Sequence, residues 1–225
     1  MAKNTEKQEK DVLFNLLSVK ESTQNFFEKY QNYIVGVLGG ILLFVGLFFV
    51  YKYLYQEPRE KEAMQELFKA QMQFEKDSFA LALDNPGEGY KGFIDIADDY
   101  KRTKAGNLAN YYAGICYLNL GKFEAAASYL EDFKPKGAIT PILKNGALGD
   151  AYSEMENMDK AKSAYEKAVA AEDNDFLTPY YLKKLGLLYR ATNEQEKAVK
   201  VFQRMVDDYP NSTFAGEVEK YLPLE

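Results

Sequence analysis

The second half of this chain repeats itself at an interval close to 35 residues. Gly114, Gly149 and Gly186 stand at equivalent places, and each is followed at fixed distances by residues of one kind. A tyrosine stands three residues on, an alanine twelve on and a large apolar residue sixteen on: Tyr117, Tyr152 and Tyr189; Ala126, Ala161 and Ala198; Leu130, Tyr165 and Phe202. A recurring unit of this length predicts stacked helix pairs, in which small residues allow close approach and large ones fill the space between helices.

These offsets resemble the tetratricopeptide repeat (TPR), a unit of 34 residues that forms two helices, A and B. The resemblance implies an all-α solenoid, with three clear repeats and a capping helix in residues 107–225. Gly121 is expected to form the turn between the helices of the first clear repeat. Residues 56–106 are interpreted as a juxtamembrane helix and a degenerate first repeat, in which only the second helix, through Phe93, follows the pattern.

The degenerate repeat begins with a helical pattern of apolar residues from Pro58 to Leu83. We expect one helix over this stretch, ended by the DNPG sequence at 84–87. The neighbouring GEGYKG at 87–92 lacks the spacing of a phosphate-binding loop and follows no strand, so it is interpreted as a turn between helices.

A second feature is the uninterrupted apolar run at residues 34–51. As a helix it covers roughly 27 Å, close to the thickness of a hydrocarbon core of about 30 Å. Tyrosines stand at both ends, as expected at membrane interfaces. Residues 33–55 are therefore predicted to form a transmembrane helix, an uncleaved signal anchor because no cleavage site of small residues follows. Residues 1–32 are predicted to be a cytosolic segment, with a short amphipathic stretch at 12–19 that lies on the membrane, docks a partner or frays.

The charges that flank the run leave its orientation open. Two lysines lie within about 20 residues before it and four basic residues follow it, which leans weakly towards a cytosolic C-terminal domain. That rule is weakest for long domains, which cross the membrane largely regardless of charge. Within the run, Gly36 and Gly40 form a GxxxG pattern, a candidate contact face for another membrane helix.

The composition argues against most catalytic chemistry. The chain has no histidine and one cysteine, so it offers neither an imidazole base nor a disulfide pair. Its net charge of −6 argues against nucleic acid. Cys116, inside a packed helix, is interpreted as a buried structural thiol. We expect no enzyme activity, no cofactor, no metal and no small-molecule substrate.

Binding is instead expected along the concave surface that the A helices of a TPR solenoid line. The resemblance places ten candidate residues on that surface: Leu108, Tyr111, Ile115, Leu118, Leu143, Asp150, Tyr180, Lys183, Leu187 and Arg190. Some TPR proteins hold a C-terminal carboxylate with a basic clamp, but only Lys184 keeps a suitable charge at the clamp positions here. An extended or partly unfolded segment with apolar side chains fits better. The alternative is that helices of the first repeat cover these residues.

The order of a short soluble segment, one span and TPR units resembles the YfgM-type proteins of Gram-negative bacteria. That resemblance implies an inner-membrane anchor, a periplasmic TPR domain, and association with the Sec translocon and the membrane-anchored chaperone PpiD. The chain is thus expected to be a membrane-anchored TPR adaptor that assists proteins emerging from the translocon. Two alternatives stay open: a scaffold for another cell-envelope complex, and a cytosol-facing import receptor.

Overall fold

The computed structural model describes residues 29–223. The chain divides into two units, Met1–Glu57 and Pro58–Glu225. The amphipathic stretch predicted at residues 12–19 lies outside the described residues.

The described part of the first unit is helical. Helix α1 covers residues 29–50 and is followed by a π-helical turn, Tyr51–Gln56. Its apolar side chains point outwards on every side; Leu42 and Phe44, for example, are 72% and 74% exposed. Such exposure is unfavourable in water, and the helical run Lys29–Phe74 contains one segment that is long and apolar enough to cross a bilayer. The first unit therefore fits a single-pass membrane anchor, as the apolar run predicted.

The second unit consists of helices throughout its described length, which confirms the all-α prediction. They are α2 (Glu57–Phe74), α3 (Phe79–Leu83), α4 (Phe93–Asp99), α5 (Lys104–Asn119), α6 (Phe123–Asp132), α7 (Ile139–Glu154), α8 (Met158–Ala171), α9 (Leu177–Ala191), α10 (Gln195–Asp208) and α11 (Ala215–Val218), followed by the 3₁₀ turn Glu219–Tyr221. The pairs α5/α6, α7/α8 and α9/α10 are helices A and B of the three clear repeats. Helix α11 and the 3₁₀ turn form the expected C-terminal cap.

One turn geometry joins the two helices of every clear repeat. Gly121, Glu156 and Asn193 each have a positive φ, between 57° and 71°. In each turn this residue donates its N–H to the carbonyl three residues back, and the next residue donates five back, which closes the end of helix A. Asp77, after α2, has φ 55° and the same two hydrogen bonds. Helix α2 is therefore helix A of the first repeat, and the single helix expected from Pro58 to Leu83 is broken at this turn.

Each repeat glycine lies where the other helix of its pair comes closest. A Cβ added at Gly114 would lie 2.5 Å from Cγ of Leu130, and one at Gly149 or Gly186 would overlap the ring that stands sixteen residues on. Because glycine has no side chain, the backbone of helix A packs directly against a large side chain of helix B. The packing that the spacing predicted is confirmed at all three glycines.

The first repeat uses alanine at the glycine position. The turn at Asp77 aligns Ala70 with the repeat glycines, and Ala82 follows twelve residues later; both are fully buried. The large residue, Phe93, is also fully buried but comes seven residues later than the pattern requires. The cause is that residues 84–92 interrupt helix B, whose two parts are α3 and α4. The segment interpreted as a turn between helices is thus an insertion within one helix.

Neighbouring repeats are joined by a recurring tyrosine–glutamate hydrogen bond. The hydroxyl of Tyr152 on α7 donates to Glu131 on α6, and that of Tyr189 on α9 donates to Glu166 on α8. In both cases helix A of one repeat is joined to helix B of the repeat before it. Burial, followed by the hydrogen bond to the glutamate, raises the pKa of both tyrosines, so the hydroxyls remain donors.

Candidate protein-binding groove

A cleft of about 530 Å³ opens between α5 and α7, the A helices of the first two clear repeats. Five of the ten candidate groove residues line it: Tyr111, Ile115, Leu118, Leu143 and Asp150. Six further residues complete its lining: Asn119, Gly121, Phe123, Ala147, Glu154 and Tyr181. The TPR spacing therefore brought half of the predicted set together in one place.

A glycine lets one lining residue of the cleft, Tyr181, pack against α7. Gly146 on α7 faces the ring of Tyr181, and a Cβ at Gly146 would overlap that ring. Tyr181 is 6% exposed and was not among the predicted groove residues. The signal that could have identified it is Gly146 itself, because a glycine on helix A leaves room for a large neighbour.

Tyr111 forms the aromatic wall of the cleft. Its ring lies 5.3 Å from that of Phe133 and 5.7 Å from that of Tyr112, measured between centroids. The residue is half-buried, and burial raises the pKa of its hydroxyl above the usual value. An aromatic side chain held by two others supplies a rigid apolar contact surface at low entropic cost.

Asp150 lies at the centre of a polar network. Its Oδ1 accepts a hydrogen bond of 2.6 Å from the Tyr165 hydroxyl and forms a 2.7 Å ion pair with Nζ of Lys184. The Lys184 ammonium also lies 4.8 Å from the ring centroid of Tyr180. Burial lowers the pKa of Lys184, but the hydrogen bond and charge of Asp150 outweigh it, so the pKa lies above its usual value. Lys184 therefore stays protonated near neutral pH, and its charge lies against the carboxylate of Asp150.

The free charge of the cleft is acidic. Of the residues that line it, Asp150 and Glu154 are acidic and none of those described is basic. Asp150 is already paired with Lys184, whereas Glu154 is exposed. The lining thus combines an apolar, aromatic surface with one accessible carboxylate.

The remaining candidates lie elsewhere. Leu108 packs against the buried cluster of the first repeat, together with Tyr112. Leu187 is exposed on α9 but does not line the cleft. The other three contact the C-terminal cap, in which Phe214 and Tyr221 supply the rings.

The contacts of that cap are specific. Tyr180 lies 5.8 Å from the ring of Phe214, and Lys183 lies over the same ring at 4.9 Å. Lys183 also forms an ion pair with Glu217. Arg190 lies 3.9 Å from the ring centroid of Tyr221. The C-terminal segment, and not the first repeat, therefore packs over this part of the predicted surface.

Outside the α5/α7 cleft, the features that could bind a ligand, a metal or a membrane helix are a second cleft, the acidic side chains, Cys116 and the glycines of α1. A second cleft of about 600 Å³ involves Glu172, Asp173 and Asp208, with Arg204 beside Asp208 at 3.3 Å. Among residues 29–223, no group of three or more Cys, Asp or Glu side chains is arranged to hold a metal. Cys116 is fully buried. In the first unit, Gly36 and Gly40 face open space, with nothing within 4 Å of an added Cβ.

Two family models match the repeats. One, described as tetratricopeptide repeat, matches residues 108–134, and the other, described as YpiA-like, C-terminal tetratricopeptide repeats, matches residues 145–212. These repeats are tetratricopeptide repeats. Among curated proteins, none matches the chain. TPR units are protein-interaction modules, so the second unit has the architecture of a surface that binds other proteins.

Proposed function

We propose that this protein is a membrane-anchored TPR adaptor with no catalytic role of its own, which binds segments of other proteins in the α5/α7 cleft. The observation that carries the proposal is the cleft itself, in which A helices of adjacent repeats present apolar side chains around Tyr111. The TPR matches support the role as a protein-binding adaptor, and the apolar helix α1 supports the membrane anchor.

The chemistry of the lining favours a particular class of ligand. Tyr111, Ile115 and Leu143 offer an apolar surface, and Glu154 offers a carboxylate that a basic side chain can approach. An extended segment with apolar side chains and one lysine or arginine satisfies both. Residues 56–225 contain 22 basic and 29 acidic side chains, and this negative net charge also favours a ligand with a basic side chain.

The resemblance to YfgM-type proteins supports a location and partners. We propose that the anchor lies in the bacterial inner membrane with the TPR unit in the periplasm, next to the Sec translocon and a PpiD-like chaperone. A groove joined by its own chain to a membrane helix has a raised effective concentration for segments that emerge from that membrane.

Protease treatment of intact spheroplasts tests the location. A periplasmic TPR unit is expected to be degraded from outside, while the segment before α1 stays protected. Full protection of residues 58–225 would instead place the unit in the cytosol and would favour the import-receptor alternative.

Site-specific crosslinking tests the partners. A photocrosslinking amino acid in place of Tyr111 is expected to capture translocating chains, and one in place of Gly40 is expected to capture translocon or chaperone helices. The matched control replaces Lys200, exposed on α10 and outside the cleft. If Gly40 yields no translocon adducts, the scaffold for another envelope complex becomes the better proposal.

Peptide binding to the full chain in detergent tests the cleft. We expect an apolar peptide with one lysine to bind more tightly than its glutamate counterpart, and Tyr111→Ala to weaken binding roughly tenfold. Glu154→Lys is expected to remove the preference for the lysine peptide. Unchanged binding by Tyr111→Ala would move the site away from the cleft.

A further inference from the structure

One face of α2, its stacking face, corresponds to the face that, in the last two repeats, packs against helix B of the repeat before. In the last two repeats, the tyrosine four residues before the turn, Tyr152 or Tyr189, donates a hydrogen bond to helix B of the repeat before. The equivalent residue on α2 is Gln73, and Lys69 and Glu66 share its face at four and seven residues back. Among residues 29–56, which are the described residues before α2, the chain forms α1 and the π-helical turn, and neither is helix B of a repeat.

The insertion at residues 84–92 contacts each of these three residues. Gln73 donates its side-chain N–H to the carbonyl of Pro86 at 2.9 Å. Lys69 forms a 2.8 Å ion pair with Glu88.

The third contact is made by the backbone. The N–H of Lys91 donates to Oε2 of Glu66 at 2.7 Å, and the Lys69 ammonium also lies 4.8 Å from the ring centroid of Tyr90. The polar residues at these positions of α2 therefore form hydrogen bonds and an ion pair with the insertion. They take the place of the tyrosine–glutamate hydrogen bonds that join the last three repeats.

The insertion is built to leave helix B and return to it. A Cβ at Gly92 would overlap the carbonyl of Leu83, so the two ends of the insertion touch. Between them, Gly87 and Gly89 have φ of 100° and 77°, which allows the chain to turn back. The insertion can therefore contact the stacking face of α2 while α3 and α4 stay next to each other.

A repeat array is normally closed by a terminal element with a polar outer surface. Among the described residues that precede α2, α1 has exposed apolar side chains on every side, which suit a bilayer and not a polar cap. The described segment that does contact the stacking face is the insertion at residues 84–92.

We propose that residues 84–92 are the N-terminal cap of the TPR array, an internal substitute for helix B of a preceding repeat. The cap occupies the stacking face of α2 and thereby prevents a second copy of this chain from stacking on it. It is independent of the α5/α7 cleft and of what that cleft binds.

Deleting residues 85–91 from the full chain tests the proposal, because it restores the four-residue spacing from Ala82 to Phe93 and leaves helix B continuous. In detergent micelles we expect the variant to keep its helical circular dichroism but to self-associate more strongly than the wild type in sedimentation. The amide hydrogens of α2 are expected to exchange about tenfold faster. Unchanged sedimentation together with unchanged exchange would overturn the proposal.

A second variant retains the insertion and covers the case in which the deletion fails to fold. Lys69→Ala combined with Gln73→Ala removes two of the contacts and is expected to speed exchange in α2 while leaving α7 and α9 unaffected. Gln65→Ala, on an exposed position of the same helix, is the matched control. Equal exchange in the double variant and this control would show that the insertion does not protect α2.

Discussion

The ring of Tyr165 fills the space that a Cβ of Gly149 would occupy. We therefore expect Gly149→Ala to lower the free energy of unfolding by about 1–3 kcal/mol, because helices α7 and α8 must separate or the ring must leave its position. Urea-induced loss of helical circular dichroism, measured on the full chain in detergent, reports this change. Gly216→Ala is the control, since nothing lies within 4 Å of an added Cβ there. Equal stability of the Gly149→Ala and Gly216→Ala variants would contradict the close packing of Tyr165 against Gly149.

Glu156 stands in a left-handed conformation that costs a residue with a Cβ about 1–2 kcal/mol. Replacing it with glycine removes this cost but increases the entropy of the unfolded chain. We expect Glu156→Gly to stabilise the second unit by about 0.5–1 kcal/mol in the same urea experiment. Gly121→Ala, at the equivalent turn, should shift the midpoint in the opposite direction. A destabilised Glu156→Gly variant would indicate that the glutamate side chain contributes more than its backbone costs.

The carboxylate of Glu194 links stability to pH. Hydrogen bonds from Lys162 and Lys197 lower the pKa of Glu194 to about 2. A lowered pKa means that the folded state favours the ionised form, so its contribution is present above pH 4.5 and is lost as the pH falls towards 2. Glu194→Gln is expected to lower the unfolding midpoint at pH 7 but to differ little from the wild type at pH 2.

The exposed Glu196 provides the comparison for this experiment. Glu196 forms no ion pair among the described residues, so Glu196→Gln is expected to lower the midpoint at pH 7 less than Glu194→Gln does. An effect of Glu194→Gln that is equally large at pH 7 and pH 2 would mean that the amide disturbs packing and that the ion pairs are not responsible.

Cys116 offers a probe of opening around the first repeat. The thiol is fully buried, and burial raises its pKa to about 12, so both access and thiolate formation are suppressed. We expect no reaction with a maleimide at pH 7 under native conditions and complete reaction in urea. As the chain contains no other cysteine, mass spectrometry gives the labelled fraction directly. Rapid labelling of the native protein would show that α5 is less tightly packed than described.

The clear repeats could be predicted because their packing is local in sequence. Gly114, Gly149 and Gly186 stand at fixed offsets from the residues that cover them, and a short turn joins the two helices. A pattern within about 35 residues was therefore sufficient to place both helices and their contact.

The first repeat was predicted only as a degenerate one, through Phe93 in its second helix, and its first helix was not identified. Ala70 replaces the glycine, and the insertion displaces Phe93 by seven residues, so two of the offsets that define the repeat are hidden. The pair Ala70 and Ala82, twelve residues apart, was the surviving signal. The break at Asp77 was also hidden, because aspartate marks a left-handed turn less clearly than glycine does.

The candidate groove residues lie together where their placement depends on the repeat, and apart where it depends on the path of the chain after the last repeat. Tyr111 and Asp150 line the cleft because helix A presents the same face in each repeat. The coverage of Tyr180 and Arg190 depends on the path of the chain after α10, which no repeat pattern specifies. Phe214 and Tyr221 lie beyond the last repeat, at positions that no repeat spacing defines, so these contacts could not be predicted from the repeat.

The hydroxyls of Tyr152 and Tyr189 have a consequence for the groove as a whole. A hydrogen bond tolerates only a few tenths of an ångström, so each one limits the rotation between one repeat and the next. The curvature of a solenoid is the sum of such small rotations. These two hydrogen bonds therefore constrain how the last three A helices are arranged along the groove, although neither tyrosine lines the α5/α7 cleft.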